Sequence, residues 1–176
     1  MKRMRLISLL LAVLLAASTT PALAEGKGPK DPNPNSQIAY IEQFEYVQNG
    51  IGMGLLSPDS IVPLASRCRT YTLGVNGYSA VGIKVWSYAW NIYWCYNGST
   101  ITSLSKWRTV WANYGWSFKG DIAENQSGGV GQTSYWHYAQ GDFCFIETYT
   151  CITHSYPWVN QTVYGSGGYT GSAGGN

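Results

Sequence analysis

Residues 82–96, GIKVWSYAWNIYWCY, run into Asn97-Gly98, and this stretch decides the fold class. Successive side chains of an extended chain point to opposite faces. One face then carries Lys84, Trp86, Tyr88, Trp90, Ile92, Trp94 and Tyr96, and the other Ile83, Val85, Ser87, Ala89, Asn91, Tyr93 and Cys95. β-Branched and aromatic side chains suit a pleated, half-buried surface. Trp86, Trp90 and Trp94 also fall at helical i, i+4 spacing. The surrounding Val, Ile and Tyr, and the type I′ hairpin signal of Asn97-Gly98, favour a strand instead. A strand this long exceeds the usual length of about 5–6 residues, so a bulge or break is expected in it.

Working outward, further candidate strands are 69–75, 99–110, 115–122, 131–139, 142–146, 149–155 and 159–164, with Asn76-Gly77 as a second hairpin signal. Short strands with turn signals and no strong helix give an all-β, antiparallel β-sandwich over residues 67–169, with a small β-barrel as the alternative. The sandwich is preferred because disulfides can staple two sheets that a small core only partly holds. Residues 25–66 read as a linker: EGKGPKDPNPNS at 25–36 has polyproline character, and 50–66 is an irregular crossing segment. Within the linker, Ile38, Ile41, Phe44 and Val47 recur at helical spacing, with caps at Asn35 or Ser36 and at Gly50. A short helix over 37–48 is expected, although strand alternation fits almost as well. Residues 170–176 read as a flexible tail.

The N-terminus reads as an export signal. Lys2, Arg3 and Arg5 precede an apolar run from Leu6 to Ala17, and Ala22-Leu23-Ala24 supplies small residues before a cleavage point. The run is too short for a spanning helix of about 20 residues. Residues 1–24 are therefore expected to be a signal peptide, cleaved between Ala24 and Glu25, with no lipobox cysteine and no second apolar segment to retain the product on a membrane. The formal charge of +2 changes with cleavage. Eleven basic residues lose three with the leader, leaving eight against nine acids, a net charge of about −1. A nucleic-acid partner, which needs a basic patch, is not expected.

Cys68, Cys95, Cys144 and Cys151 are even in number in an exported chain, which points to two disulfides. Four cysteines allow three connectivities. The spacing favours Cys68–Cys95 with Cys144–Cys151, the latter pair facing across a hairpin centred on Glu147-Thr148. No C-x2-C pair suggests zinc, and no metal or cofactor is expected.

WCYNGSTITS at 94–103, GWSFKG at 115–120, GDFCF at 141–145 and CITHSYPWVNQTVYGSGG at 151–168 together resemble a pattern of small secreted proteins of Gram-positive, actinomycete-like bacteria. The resemblance spans roughly residues 67–168. It implies export and a β domain; these proteins have no assigned function, so it carries over no activity and no catalytic residues.

Residues 71–169 hold eight Trp, twelve Tyr and three Phe. Rings of this kind fill cores, or form flat platforms for sugars and protein partners. A disulfide-bonded Cys95 is expected to face inward, and that would turn the Trp86, Trp90, Trp94 row outward; a bulge would return part of it to the core. The candidate ligand-binding residues are Trp86, Trp90 and Trp94, with Trp107 and Trp111 as neighbours across the Asn97-Gly98 hairpin.

Signals for catalysis are weak. Asp121, Glu124, Asp142 and Glu147 are the acids of the domain, and turn or surface roles account for them. His137 and His154 are the two histidines, both within candidate strands. No G-x-S-x-G elbow or H-E-x-x-H helix accompanies them. Residues 31–42, DPNPNSQIAYIE, mimic a calcium loop, but Ser36 replaces the turn glycine and two prolines stiffen the segment. The leading expectation is a secreted, non-catalytic binding module for a glycan, cell-wall or protein ligand. The alternatives are a small hydrolase using His137 with Asp121 or Asp142, and a secreted inhibitor or toxin-like effector.

Overall fold

The computed structural model describes residues 37–50 and 67–176. The leader 1–24, the linker 25–36, the calcium-like positions 31–36 and the crossing segment 51–66 lie outside the described residues. Nine strands follow: β1 (Ile38–Gly50), β2 (Arg67–Ser79), β3 (Lys84–Tyr96), β4 (Ile101–Ala112), β5 (Trp116–Gly128), β6 (Ser134–Glu147), β7 (Thr150–Ser155), β8 (Trp158–Tyr164) and β9 (Tyr169–Gly174). They form two antiparallel sheets, one ordered β1-β2-β3-β4 and the other β5-β6-β8-β9, with β7 also paired to β6. The chain is an all-β sandwich, as expected, and no helix occurs among the described residues.

The inner face of β3 builds the core. Trp86, Tyr88, Ile92 and Trp94 have no exposed surface, and Trp90 and Tyr96 retain 6%. Trp86 stacks on Phe143 of β6 with ring centroids 5.1 Å apart, and Tyr88 meets the same ring edge-on. Aromatic contacts of this kind add about 0.5–1.5 kcal/mol beyond the area they bury. Two hydrogen bonds tie the sheets through the core: Trp94 Nε1 donates to the Tyr164 carbonyl at 3.1 Å, and Gln161 Nε2 to the Trp90 carbonyl at 3.1 Å. β3 is unbroken over thirteen residues, and its irregularities fall in the pairing near its two ends.

Two readings of local sequence change, and a third holds. Asn76-Gly77 is not a turn; it lies inside β2, and the hairpin to β3 closes later, through Gly82 at φ +78° and the Ser79–Ile83 backbone hydrogen bond. Gly77 is required there because the Trp86 indole lies over its backbone, 2.2 Å from where a Cβ would stand. Gly141-Asp142 is not a turn either. β6 runs through it, and a Cβ at Gly141 would meet the Tyr88 ring at 2.8 Å. Asn97-Gly98 does turn the chain, with Asn97 Oδ1 accepting the N–H groups of Ser99 and Thr100.

The expected helix at 37–48 is strand β1. A register shift between Ile38 and Tyr40 puts Ile38 and Ile41 on one face. Val47 shares that face, while Phe44 lies on the opposite one over Gly74 and Ala89. A bulge thus produced the spacing that resembled a helix. The expected tail at 170–176 is largely strand β9, which pairs along β8. The Ala173 N–H also donates to Gln43 of β1 at 3.0 Å, so the last strand helps close one open side of the sandwich.

Both disulfides take the favoured connectivity, Cys68–Cys95 and Cys144–Cys151. Their sequence separations are 27 and 7, so loop closure gives about 3.5 and about 2.5 kcal/mol. The second hairpin turns at Thr148-Tyr149, both at positive φ, rather than at Glu147-Thr148. Cys144 faces His154 across the ladder and Cys151 faces Ile146, so the two cysteines are diagonal neighbours.

Gly77→Ala tests the Trp86 packing. It should lower stability by about 1–3 kcal/mol through overpacking. Urea unfolding would show this as a lower midpoint at unchanged slope, and an unchanged or raised midpoint would contradict the packing.

Candidate functional site

The five candidate tryptophans divide into two groups. Trp86, Trp90 and Trp94 point between the sheets and are buried, whereas Trp107 and Trp111 are 45% and 40% exposed. The reason is the placement of Cys95. Cys68 and Cys95 are directly paired, with Cα atoms 4.0 Å apart, on the outer face of the first sheet. Side-chain alternation then sends the even-numbered residues of β3 inward. The disulfide is covered where it stands, with Cys68 at 4% and Cys95 at 8% exposure, so it needed no place in the core.

Register carries Trp107 and Trp111 to the outer face. Trp107 pairs with Asn91 and Trp111 with Ser87, both outward residues of β3. Four residues of strand separate the two backbone positions by about 13 Å. Between them lies Thr109, whose Oγ1 accepts from Asn91 Nδ2 at 3.0 Å; Asn91 Oδ1 in turn accepts from Thr72 at 2.7 Å. Lys84 Nζ lies 5.2 Å from the Trp111 ring. Across the sheet, Tyr46 is 49% exposed, and Tyr40 stacks on Tyr78 at 4.6 Å. The middle of the face is filled by the half-buried Phe44 ring, which lies over the buried Gly74 and Ala89; a Cβ on Gly74 would stand 2.7 Å from that ring. The result is a sheet face with exposed rings at both sides, a half-buried ring in the middle, and the exposed Thr109 between Trp107 and Trp111.

The second sheet offers a groove of about 310 Å³, lined by Trp136, Asn160, Thr162, Thr170, Gly171 and Ser172. Trp136 Nε1 donates to Asn160 Oδ1 at 2.6 Å, which fixes the indole on the groove wall. Sequence reasoning missed Trp136. The alternation Trp136, Tyr138, Gln140 on one face was the available signal.

A polar cluster closes the side where β4 and β5 meet. Arg108 pairs with Asp121, and Lys106 with Glu124. Tyr88 donates to Asp121 at 2.8 Å and receives the Trp90 N–H at 2.9 Å. Burial, with Asp121 adding to it, pushes the Tyr88 phenol far up. His137 is fully buried, with Nε2 3.3 Å from Glu124 Oε1 and Nδ1 without a partner. The pairings expected for a hydrolase therefore differ from those found. Asp121 is held by Tyr88 and Arg108, and Asp142 lies on the other face of β6, 2.6 Å from His154. Ion pairing neutralises Asp121 and Glu124, so the cluster fastens two edge strands, in keeping with inward charges at sheet edges.

Sγ of Cys144, Sγ of Cys151 and a His154 ring nitrogen lie within 4.8 Å of one another. Both sulfurs are in a disulfide, and a metal needs thiolates, so this is no metal centre in the oxidised protein. No family model, curated protein or solved structure matches the chain.

The cluster sets a pH dependence. Burial, reinforced by Lys106, lowers the His137 pKa from 6.5, although Glu124 pulls the other way. The unfolded chain then takes up a proton that the folded one refuses, so stability is lost as pH falls below about 6.5. Lys106 lowers the Glu124 pKa from 4.5, with burial opposing and His137 assisting, and stability falls again as pH drops through that range. The thermal midpoint should be flat from pH 7 to about 9 and decline below pH 7, and His137→Gln should remove the first decline only. A wild-type midpoint unchanged between pH 7 and 5 would contradict this.

Proposed function

We propose that the protein is a secreted, non-catalytic module that binds polysaccharide along the outer face of the first sheet. The observation that carries this is the pair Trp107 and Trp111, exposed on one face of an edge strand with Thr109 between them. A pyranose presents C–H groups on its faces and hydroxyls on its rim. Flat indoles match the former, and Ser87, Thr109 and Lys84 the latter. A protein partner would be better served by a contiguous apolar patch; here hydroxyls and a lysine interrupt the rings. An edge strand also leaves a long polymer room to run past the sheet.

Export supports the same reading. Two disulfides fit an oxidising compartment. No helix among the described residues is long and apolar enough to cross a membrane. The leader 1–24 would deliver the chain, and the resemblance to small exported actinomycete-like proteins agrees. N-terminal sequencing of protein from culture supernatant should begin Glu25-Gly26-Lys27; a chain still starting at Met1 would refute cleavage.

Retention on peptidoglycan, chitin, cellulose and xylan tests the binding itself. The wild type should be held by at least one of these. Trp107→Ala and Trp111→Ala should each weaken binding by about 2 kcal/mol, near thirtyfold. Trp136→Ala should leave it unchanged. Full retention by the double variant at Trp107 and Trp111 would sink the assignment, as would no retention of the wild type on any of the four.

A further inference from the structure

The β6–β7 hairpin carries a second kind of chemistry, independent of the aromatic face. Asp142 and Cys144 lie on the outer face of β6, and Cys151 and His154 on β7. His154 Nδ1 is 2.6 Å from Asp142 Oδ1, and His154 Nε2 is 3.1 Å from Cys151 Sγ. Tyr156 stacks on the imidazole at 5.7 Å, with the planes only 7° apart, which holds the ring's orientation. Carboxylate, imidazole and sulfur are thus in series, the order in which an orienting group, an acid–base group and a nucleophile are arranged.

The two sulfurs of this disulfide are not equivalent. Cys151 is exposed, while Cys144 has no exposed surface. Cys144 Sγ lies near the Phe145 carbonyl, and Cys151 Sγ has the imidazole. An exposed sulfur beside an acid–base group, backed by a buried one, is the arrangement of an attacking and a resolving cysteine. The Cys68–Cys95 disulfide differs: its cysteines are covered, and the group near Cys95 Sγ is the Tyr93 hydroxyl at 3.4 Å.

We propose that Cys144–Cys151 is an exchange-active disulfide that oxidises external thiols, with His154 as its acid–base group and Asp142 as the positioning residue. The thiolate of a small thiol or protein dithiol attacks Cys151 Sγ. The S–S bond breaks, a mixed disulfide forms on Cys151, and the electron pair goes to Cys144 sulfur, which takes a proton from solvent. A second thiolate attacks the external sulfur of the mixed disulfide and expels Cys151 as thiolate. His154, held at Nδ1 by Asp142, protonates that leaving sulfur from Nε2 and regains its proton from solvent. Two external thiols are oxidised to one disulfide, and the Cys144–Cys151 pair is reduced to two thiols. In reverse, the Cys151 thiolate attacks an external disulfide and Cys144 resolves the product.

The experiment exposes the folded, oxidised protein to reduced glutathione, traps free thiols by alkylation at intervals, and locates them by peptide mass spectrometry. Cys144 and Cys151 should open while Cys68 and Cys95 stay closed. His154→Ala should slow release of the Cys151 thiol from its mixed disulfide by about a hundredfold, the lower end of what an acid–base group supplies, with the Cys144 thiol still appearing at the wild-type rate and no change in unfolding midpoint. For Asp142 the readout is the pH profile of Cys151 alkylation in the reduced protein. The groups facing that thiol are His154 and, through it, Asp142 and Tyr156. Asp142→Asn should move the profile to higher pH. Equal rates of Cys151 release in wild type and His154→Ala, or reduction of both disulfides only on unfolding, would overturn the proposal.

Discussion

Side-chain alternation on β3 is the constraint on which the rest of the molecule depends. Once Trp86, Tyr88, Trp90, Ile92, Trp94 and Tyr96 lie between the sheets, Cys95 must lie outside. The antiparallel ladder then passes that choice to its neighbours. Cys68 is placed outside on β2 because it faces Cys95, and Trp107 and Trp111 are placed outside on β4 because they face Asn91 and Ser87. A one-residue slip would exchange the two faces. The buried rings and the exposed rings are two consequences of a single register.

The architecture was legible in the sequence because its strands are dense in β-branched and aromatic residues and end at recognisable turns. The misreadings have specific causes. Asn76-Gly77 looks like a hairpin, but the glycine serves the Trp86 ring rather than a turn. The hairpin at Thr148-Tyr149, placed one residue early at Glu147-Thr148 from the cysteine spacing, has no glycine or asparagine to mark its turn. The helix-like spacing of Ile38, Ile41, Phe44 and Val47 comes from a register shift, which residue order alone does not display.

The candidate site was half legible. Trp107 and Trp111 could be named from the hairpin, but the orientation of β3 rested on the rule that disulfides are buried inside. Here Cys68–Cys95 is covered by its neighbours on the outer face of a sheet. The rule concerns burial, and burial does not require the core. The contacts of Asp142 with His154 and of His154 with Cys151 were beyond reach for a different reason. They depend on a bulge between Phe145 and Ile146 that makes the two cysteines diagonal neighbours.

Polar groups complete the sandwich where rings cannot. Lys106, Arg108, Asp121 and Glu124 close the side between β4 and β5, while Gln43 and the β9 backbone close the side at β1. The outer face of the first sheet is left free of these fastening roles. Tryptophan oxidation footprinting of the folded protein, read by peptide mass spectrometry, tests the central claim most directly. Trp107 and Trp111 should oxidise first, with Trp86 and Trp94 protected until unfolding. Oxidation of Trp86 or Trp94 as fast as Trp107 would mean that β3 faces the other way, and both the core and the binding face would have to be reassigned.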